Sequence, residues 1–361
     1  MGMERIGVLT SGGDSPGMNA AVRAVVRTAE HYKMKAVGIK RGYNGTLLQS
    51  KDRNDDYEEL SRRKVGEIIH RGGTLLMTAR CKEFLEPANH IKAVDNMRSV
   101  MKLDGLVVIG GDGTFRGLND LHNLHFPVVG IPGTIDNDLP FTDMTLGFDT
   151  ALNTVCDSVN RIRETMYSHE RGSVVEVMGR DCGDIALFSG LACGAEIVLL
   201  PDKPWDVDEV AQRMKNSADL GKKNPLIVIA EGAWASMKPV DMKAFCVKHG
   251  IKPIKAEGEM SSEKLALLVE KKSGIETRAT VLGYIQRGGS PSAADRILAC
   301  RMGERAVELL RGGPEGFGHV VGIHKNKLID RPVASAISRK PREGRTKMNE
   351  HLLEMIKVLA I

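Results

Sequence analysis

Residues 106–114 of this 361-residue chain read Leu-Val-Val-Ile-Gly-Gly-Asp-Gly-Thr. Four consecutive apolar residues, mostly β-branched, are typical of a strand buried on both faces of a parallel sheet. The glycines that follow allow backbone N–H groups to approach an anion closely. The stretch therefore predicts a strand, a ligand-binding turn and the start of a helix, as in an α/β fold.

The same pattern occurs on both sides of this stretch. Residues 6–10 lead into Ser-Gly-Gly-Asp-Ser-Pro-Gly at positions 11–17, and residues 128–131 lead into Pro-Gly-Thr-Ile-Asp-Asn-Asp at positions 132–138. Because the carboxyl ends of parallel strands lie at one edge of a sheet, we expect the three loops to meet there.

Strands and helical patterns alternate along the rest of the chain. Further strands are predicted at 36–39, 174–177, 197–200, 226–230 and 320–323. Amphipathic segments of crossover length predict helices at 20–32, 91–102, 151–167, 207–220 and 261–272. The alternation indicates two doubly wound, Rossmann-like α/β/α domains with mostly parallel sheets. The segment 232–259 interrupts it and is interpreted as a surface insertion.

Composition excludes several classes of function. Aromatic residues make up only 4% of the chain, which disfavours a base-stacking nucleic-acid platform. The 51 basic and 46 acidic residues nearly cancel, so a polyanionic partner is not expected. No apolar run of membrane-spanning length and no signal-peptide core is found, which predicts a cytoplasmic protein with no membrane contact. The six cysteines form no C-x-x-C pair and are expected to be reduced thiols.

The glycine loops match neither common nucleotide fingerprint. Met18 and Asn19 stand where a P-loop needs Lys and Ser or Thr, and G-x-G-x-x-G is absent from the first loop. Asp112 is interpreted either as a Mg²⁺ ligand or as a helix cap. Asp136 and Asp138 lie two residues apart in a segment expected to be extended, so both should point to one side and divide labour between a proton and a metal.

Basic residues complete the set of candidates. Arginines at or near loops suit phosphate oxygens, although most arginines are simply solvated. They are Arg80, Arg171, Arg180, Arg278 and Arg287. Glycine loops, carboxylates and arginines together predict direct phosphoryl transfer from a polyphosphate donor.

Five segments carry a resemblance to a known family: Gly7–Arg23, Val107–Thr114, Gly130–Asp138, Val174–Asp184 and Thr277–Pro291. With them the chain resembles the ATP-dependent 6-phosphofructokinases of bacteria along nearly its whole length. The resemblance implies Mg²⁺-assisted transfer from ATP to fructose 6-phosphate in glycolysis. It also implies a homotetramer whose active sites are shared across an interface.

The resemblance implies domains and site residues as well. Residues 1–147 with 286–336 would form a larger nucleotide-binding domain, and 148–285 with 337–361 a smaller sugar-phosphate domain. Asp136 would be the general base, with Thr134 and Asp138 beside it, and Arg180 and Arg80 would stabilise charge on the transferring group. The ATP site would be lined by Gly13, Tyr43, Arg80, Cys81, Gly111, Asp112, Gly113 and Thr114, with Asp112 holding Mg²⁺.

Sugar contacts follow in the same way. Met178, Gly179, Glu231 and Tyr284 would lie at the sugar. Arg171 and Arg278 would reach its 6-phosphate from a neighbouring subunit, and Arg287 would complete that pocket.

An effector site for ADP or phosphoenolpyruvate is also implied. Its residues would be Arg23, Arg27, Arg62, Arg163, Gly194, Glu196 and Lys222, whereas Leu220 replaces a basic residue of the family. The alternative is that these side chains form ordinary ion pairs at a subunit interface.

Four positions bear on the identity of the phosphoryl donor and of the sugar-phosphate acceptor. Gly113 and Gly133 stand where the pyrophosphate-using branch of the family carries a carboxylate and a lysine, which favours ATP. Tyr284 stands where the family usually has His in the sugar-phosphate pocket, and Leu85 replaces an arginine near the nucleotide. Tyr284 therefore leaves a kinase for sedoheptulose 7-phosphate or tagatose 6-phosphate as one alternative. A non-catalytic regulatory subunit that binds nucleotide and keeps the fold is a second, separate alternative.

Overall fold

The computed structural model describes residues 2–50, 52, 55–249, 260–337 and 343–360. The chain divides into two compact units. The first consists of the residues up to Ala151 together with Arg287–Arg345, and the second of Leu152–Gln286 together with the residues from Thr346 onward. Among the described residues, no helix is long and apolar enough to cross a bilayer.

The strands and helices have the following bounds. The strands are β1 (Arg5–Ser11), β2 (Lys35–Ile39), β3 (Tyr57–Leu60), β4 (Gly105–Gly110), β5 (Val128–Pro132), β6 (Gly172–Val177), β7 (Ile197–Leu199), β8 (Leu226–Ala230), β9 (Thr277–Val281), β10 (His319–His324) and β11 (Lys327–Pro332). The helices are α1 (Met18–His31), α2 (Tyr43–Thr46), α3 (Pro87–Asp95), α4 (Asp112–Asn123), α5 (Phe148–Ser168), α6 (Asp184–Ala192), α7 (Val207–Asp219), α8 (Met242–Lys248), α9 (Ser262–Ser273), α10 (Ala293–Gly312), α11 (Val333–Ala336) and α12 (Glu343–Leu359).

The first unit is built on a sheet with the order β11-β10-β5-β4-β1-β2-β3. The inner strands are parallel, whereas the edge strands β3 and β11 pair antiparallel with their neighbours. Alternate residues of β4 enter different cores: Val107 and Ile109 pack with α1 and α10, and Leu106 and Val108 pack with α4. Helices therefore cover both faces of the sheet, which confirms the α/β/α prediction.

The second unit is built on the parallel sheet β7-β8-β6-β9. Helix α6 packs against β7 and β8, and α9 packs against β6, β9 and α7. The central residues of β8 are fully buried, as expected for a strand covered on both faces.

The structure corrects several predicted elements. The predicted helix 91–102 is α3 followed by a π-helical turn over Asn96–Val100. Strands β3, β9 and β11 were not predicted, because their polar residues hide the apolar pattern. The interpretation of 232–259 as a surface insertion stays a prediction: most of its described residues are at least partly exposed, α8 buries Phe245 and Cys246, and residues 250–259 lie outside the described ones.

A buried carboxylate fixes the start of α10 in the first unit. Asp295 accepts hydrogen bonds from the backbone N–H groups of Gly147 (2.9 Å) and Thr150 (2.8 Å), and from the Thr150 hydroxyl (2.5 Å). Burial raises the pKa of Asp295, and these hydrogen bonds oppose the rise. The side chain thereby holds the segment that begins α5 against α10.

We predict that Asp295→Ala lowers the free energy of unfolding by about 3 kcal/mol, because three buried donors lose their acceptor. Urea unfolding measures the change. Asp157→Ala, at an exposed position on α5, is the control and should change stability by less than about 0.5 kcal/mol. Equal stability of both variants would contradict the assigned role.

Candidate active site

The predicted loops meet at the carboxyl edge of the first sheet. Strand β4 pairs with β1 on one side and with β5 on the other, so the loops after these strands are neighbours. The Thr114 hydroxyl donates to the carbonyl oxygen of Ser11 (3.0 Å), and the N–H of Gly133 donates to that of Gly110 (3.0 Å). After β3 the chain crosses to the other side of β1, which makes this edge a topological switch point, where open α/β sheets bind ligands.

Glycine is required at some of these positions and not at others. A Cβ on Gly110 would lie 2.5 Å from the Ser11 carbonyl oxygen, a backbone atom, whereas one on Gly13 would meet only the end of the flexible Arg287 side chain, with Nη1 at 2.6 Å. At Gly113, by contrast, a Cβ would meet nothing within 4 Å, although glycine in a helix costs about 1 kcal/mol relative to alanine. The fold itself therefore does not explain Gly113, which borders open space in the first turn of α4.

Asp112 is the first residue of α4. The N-cap residue of this helix is Gly111, which has no side chain to cap it, and Asp112 follows as the acidic residue of the first turn. The half-buried carboxylate lies 3.0 Å from Nη2 of Arg116, one turn further along. Among the described residues, no group of three or more His, Cys, Asp or Glu side chains could hold a metal ion. Asp112 can thus contribute one hard oxygen ligand but not a complete protein cage.

The loop after β5 carries a buried and a half-buried carboxylate. Asp136 is 2% exposed and Asp138 is half-buried. Asn137 between them has a φ of 52°, so the segment is not extended and the predicted alternation that put both carboxylates on one side is wrong. The N–H of Asp136 donates to the Thr134 hydroxyl (3.2 Å), and Thr145 donates to the Thr134 carbonyl (2.6 Å). These bonds hold the loop in its bent shape.

Tyr43 packs beside α4 and forms a hydrogen bond with its first turn. Its ring is buried and stacks on Phe84 at 4.1 Å, and its hydroxyl donates to the Thr114 carbonyl (2.7 Å). Burial raises the pKa of Tyr43 well above its usual value, so the hydroxyl remains a donor. Cys81 is half-buried, and Arg80 is exposed in the same unit.

The turn Met178–Arg180 follows β6 in the second unit. Oε1 of Glu231 accepts the N–H groups of Gly179 (3.1 Å) and Arg180 (2.8 Å), and Oε1 of the fully buried Gln286 accepts that of Met178 (3.2 Å). Arg180 has a φ of 51°, a conformation that an L residue keeps only when its surroundings impose it. Glu231, predicted to contact a sugar, therefore also shapes the turn that presents Arg180.

The arginines predicted to bind the 6-phosphate lie at the opposite end of the same sheet. Arg171 precedes β6, and Arg278 is paired with Ser173 near the start of β9. Both bind the carboxylate of Glu276, Arg171 at 2.9 Å. The six residues of β6 span roughly 20 Å, so these arginines and Arg180 are at opposite edges of one sheet.

The remaining predicted positions are placed as follows. Arg287 donates to the Asp14 carbonyl (3.1 Å) and lies against Gly13, so within this chain it supports the first glycine loop. It belongs to the first unit, whereas Arg171 and Arg278 belong to the second. Tyr284 and Leu85 are 81% and 80% exposed.

Four residues of the implied effector site form two contacts in the second unit. Arg163 donates to the Gly194 carbonyl (3.1 Å), and Lys222 binds the buried carboxylate of Glu196 (2.7 Å). The exposed side chain of Leu220 adds no charge there.

The other three belong to the first unit. Arg23 and Arg27 lie one turn apart on α1, and within the described residues their buried Nε atoms make no hydrogen bond. Arg62 pairs with Glu30 at 3.0 Å. Ordinary ion pairs thus account for Arg62 and Lys222. They do not account for Arg23 and Arg27 on α1.

Sequence reasoning missed Gln286, Glu276 and Asp295. Each makes its key contact with a residue more than 100 positions away in the chain, so no local sequence pattern identifies it. Gln286 lies within one of the segments that carry the family resemblance, which was the only available signal.

The family model for phosphofructokinase matches residues 5–310. The chain belongs to the phosphofructokinase family. It is 47% identical over 359 residues to an ATP-dependent 6-phosphofructokinase of Clostridioides difficile (strain 630), covering 99% of this chain and all of that protein. It is 49% identical over 338 residues to the enzyme of the same name from Bacillus cereus (strain B4264), covering 94% and 95%.

Solved phosphofructokinase structures have the same fold. The structure from Saccharomyces cerevisiae aligns over 99% of this chain with a TM-score of 0.80 and 31% identity. This chain spans 48% of that yeast chain. A pyrophosphate-dependent phosphofructokinase from Marinobacter aquaeolei aligns with a TM-score of 0.75 at 19% identity, which supports the fold alone.

We predict that Glu231→Ala speeds hydrogen exchange at the amides of Gly179 and Arg180 by tenfold or more, roughly, since both lose a charged acceptor. Mass spectrometry of the peptide around residues 174–184 measures it. Glu209→Ala, an exposed position on α7, is the control. Unchanged exchange in the Glu231 variant would show that the turn holds its shape without the carboxylate.

Proposed function

We propose that this phosphofructokinase transfers the γ-phosphoryl group of ATP to the 1-hydroxyl of fructose 6-phosphate, giving fructose 1,6-bisphosphate and ADP. The observation that carries the proposal is the meeting of the loops after β1, β4 and β5, which gathers glycine amides, Asp112 and Asp136 at one sheet edge. The relatives named for this reaction match at 47–49% identity along nearly their whole length. As an enzyme of glycolysis it would act in the cytoplasm.

Asp136 is the group that we assign to the acceptor proton. Its carboxylate is buried in the loop that follows β5, and this loop is held by Thr134 and Thr145. As the sugar oxygen attacks phosphorus, Asp136 accepts the hydroxyl proton, so charge on the nucleophile never builds up fully. Arg180, from the second unit, and Arg80 would balance charge on the transferring group, and Asp138 and Thr134 would assist.

The donor set at the first sheet fits a Mg²⁺ ion carried in by the nucleotide. Asp112 supplies one hard oxygen from a half-buried position, and a Mg²⁺ bound with phosphates takes its other ligands from phosphate oxygens and water. When bound, the ion neutralises charge on the phosphate oxygens. The backbone amides of Gly111, Gly113 and Thr114 at the start of α4 add the dipole of the helix N-terminus.

A neighbouring subunit would complete the sugar-phosphate site. Arg171 and Arg278 lie at the amino edge of the second sheet, whereas Met178 and Arg180 lie at its carboxyl edge, too far apart to hold one small sugar phosphate. This separation supports the homotetramer with shared sites that the resemblance implies. Release of Glu276 from Arg171 and Arg278 would free both guanidinium groups for a phosphate.

We assign the paired arginines of α1 and the cluster at Gly194 to an anionic effector, ADP or phosphoenolpyruvate. Arg23 and Arg27 carry buried Nε donors, within the described residues, that a phosphate would satisfy.

A second candidate function changes only the acceptor. Tyr284 is exposed where the family usually has His, so a related sugar phosphate such as sedoheptulose 7-phosphate or tagatose 6-phosphate could be preferred. A regulatory subunit without activity is disfavoured because Asp112, Asp136, Asp138 and Arg180 are all present.

We predict that Asp136→Ser lowers kcat by about 10²–10⁴-fold and changes the KM for fructose 6-phosphate far less, because the carboxylate acts mainly in the transition state. Steady-state kinetics with coupled ADP detection measure both. Asp202→Ser, at an exposed position, should leave both constants unchanged. Near-normal turnover of the Asp136 variant would show that another group takes the proton.

We predict that Gly113→Asp raises the KM for ATP by at least about tenfold without loss of thermal stability. The new carboxylate enters open space that the fold does not need, and there it repels the nucleotide phosphates. Gly113→Ala is the matched control: it fills less of that space and adds no charge. A Gly113→Asp enzyme that keeps its KM for ATP would argue against nucleotide binding at α4.

For the acceptor, we predict the highest kcat/KM with fructose 6-phosphate in a panel that includes sedoheptulose 7-phosphate and tagatose 6-phosphate at fixed ATP. Tyr284→His should lower the KM for fructose 6-phosphate, because the imidazole restores the family's side chain. Tyr167→His, an exposed tyrosine on α5, is the control. A higher kcat/KM with another sugar phosphate would establish the second candidate instead.

A further inference from the structure

Two cysteines of the second unit face each other outside the candidate active site. The Sγ atoms of Cys156 and Cys193 lie 3.6 Å apart, with the thiol of Cys193 donating to the sulfur of Cys156. Cys156 lies in the middle of α5, and Cys193 is the cap residue directly after α6. All six cysteines of the chain are free thiols in the structure.

We propose that Cys156 and Cys193 form a reversible disulfide site that accepts a small disulfide oxidant such as glutathione disulfide. The two sulfurs need to approach by roughly 1.5 Å to reach the disulfide length of about 2.05 Å, a shift available to two short side chains. The bond would join α5 to the end of α6, across 37 residues of sequence.

The two thiols have different surroundings, which assigns their roles. Cys156 is half-buried and open to an oxidant, whereas Cys193 is buried. The hydrogen bond from Cys193 lowers the pKa of the Cys156 thiol to about 7, while burial and the nearby Asp157 oppose this. The same contact and burial raise the pKa of Cys193, and Arg163 opposes that rise. Cys156 is therefore the attacking thiolate and Cys193 the resolving thiol.

The exchange balances in two steps. The Cys156 thiolate attacks one sulfur of glutathione disulfide, forming a mixed disulfide and releasing one glutathione thiolate. Cys193 then transfers its proton to the glutathione thiolate released in the first step, and its sulfur attacks that of Cys156, which forms the protein disulfide, breaks the mixed disulfide and releases the second glutathione as a thiolate that takes up the proton Cys156 had lost to solvent. Two protein thiols are oxidised and one glutathione disulfide is reduced to two glutathione molecules.

The site adjoins the turn at Gly194. Gly194 follows Cys193 directly and has a φ of 60°. Its carbonyl oxygen accepts a hydrogen bond from the guanidinium group of Arg163. Arg163 lies on α5, like Cys156, so the disulfide would add a covalent link beside an existing hydrogen bond between the same two elements. Oxidation should thus fix the Cys193–Gly194 turn. If the proposed effector site is correct, it would also change the response to an anionic effector there.

The test treats the full-length protein with glutathione disulfide and counts thiols by alkylation and mass spectrometry. We expect a loss of two of the six free thiols, a linked peptide pair containing Cys156 and Cys193, and full reversal by dithiothreitol. Hydrogen exchange at Gly194 and Ala195 should slow by about tenfold in the oxidised protein.

Two variants and one control make the test specific. Cys156→Ser and Cys193→Ser should each prevent the linked pair, whereas Cys300→Ser should preserve it; circular dichroism of each variant checks folding. Absence of the linked pair in the wild-type protein would overturn the proposal. Formation of the pair with unchanged exchange at Gly194 would overturn the link to the turn. Neither result depends on the kinase activity, so this proposal can fail while the proposed function stands.

Discussion

The close approach of β1, β4 and β5 at the end of the first sheet is the constraint on which the site depends. At Gly110 a side chain would lie 2.5 Å from the Ser11 carbonyl, and the carbonyl of Gly110 accepts the N–H of Gly133. Only a residue without Cβ lets the loops after these strands run side by side. Asp112 and Asp136, which stand just beyond, come together at one sheet edge for that reason.

The turn at Arg180 shows a second kind of constraint. There the backbone is held in an unfavourable conformation by Glu231 and Gln286, both provided by other strands and segments of the second unit. Arg180, which we assign to the transferring group, is thus positioned by polar side chains that hold its turn. Side-chain hydrogen bonds shape the loops of both units, and in the first unit the close packing of backbone at Gly110 is added to them.

The sequence predicts the inner strands well because they are short, apolar and buried on both faces, as at residues 106–109 and 226–230. It fails for the edge strand β3, whose sequence Tyr-Glu-Glu-Leu has one face open to solvent. It also fails for the loop after β5, because no local sequence pattern predicts the left-handed backbone conformation of Asn137 between Asp136 and Asp138. Most individual site residues were reached through the family resemblance, whereas Gln286 and Asp295 are defined only by contacts made in the folded chain.

The central claim is that the loops after β1 and β4 bind the phosphates of a nucleotide. A crystal structure of the protein with ADP and Mg²⁺ tests it most directly. We expect the diphosphate to lie against the amides of residues 111–114 and the first glycine loop, with an oxygen of Asp112 within about 2–4 Å of the metal, directly or through a water. A diphosphate bound elsewhere, with Asp112 still paired to Arg116 and away from the metal, would contradict it.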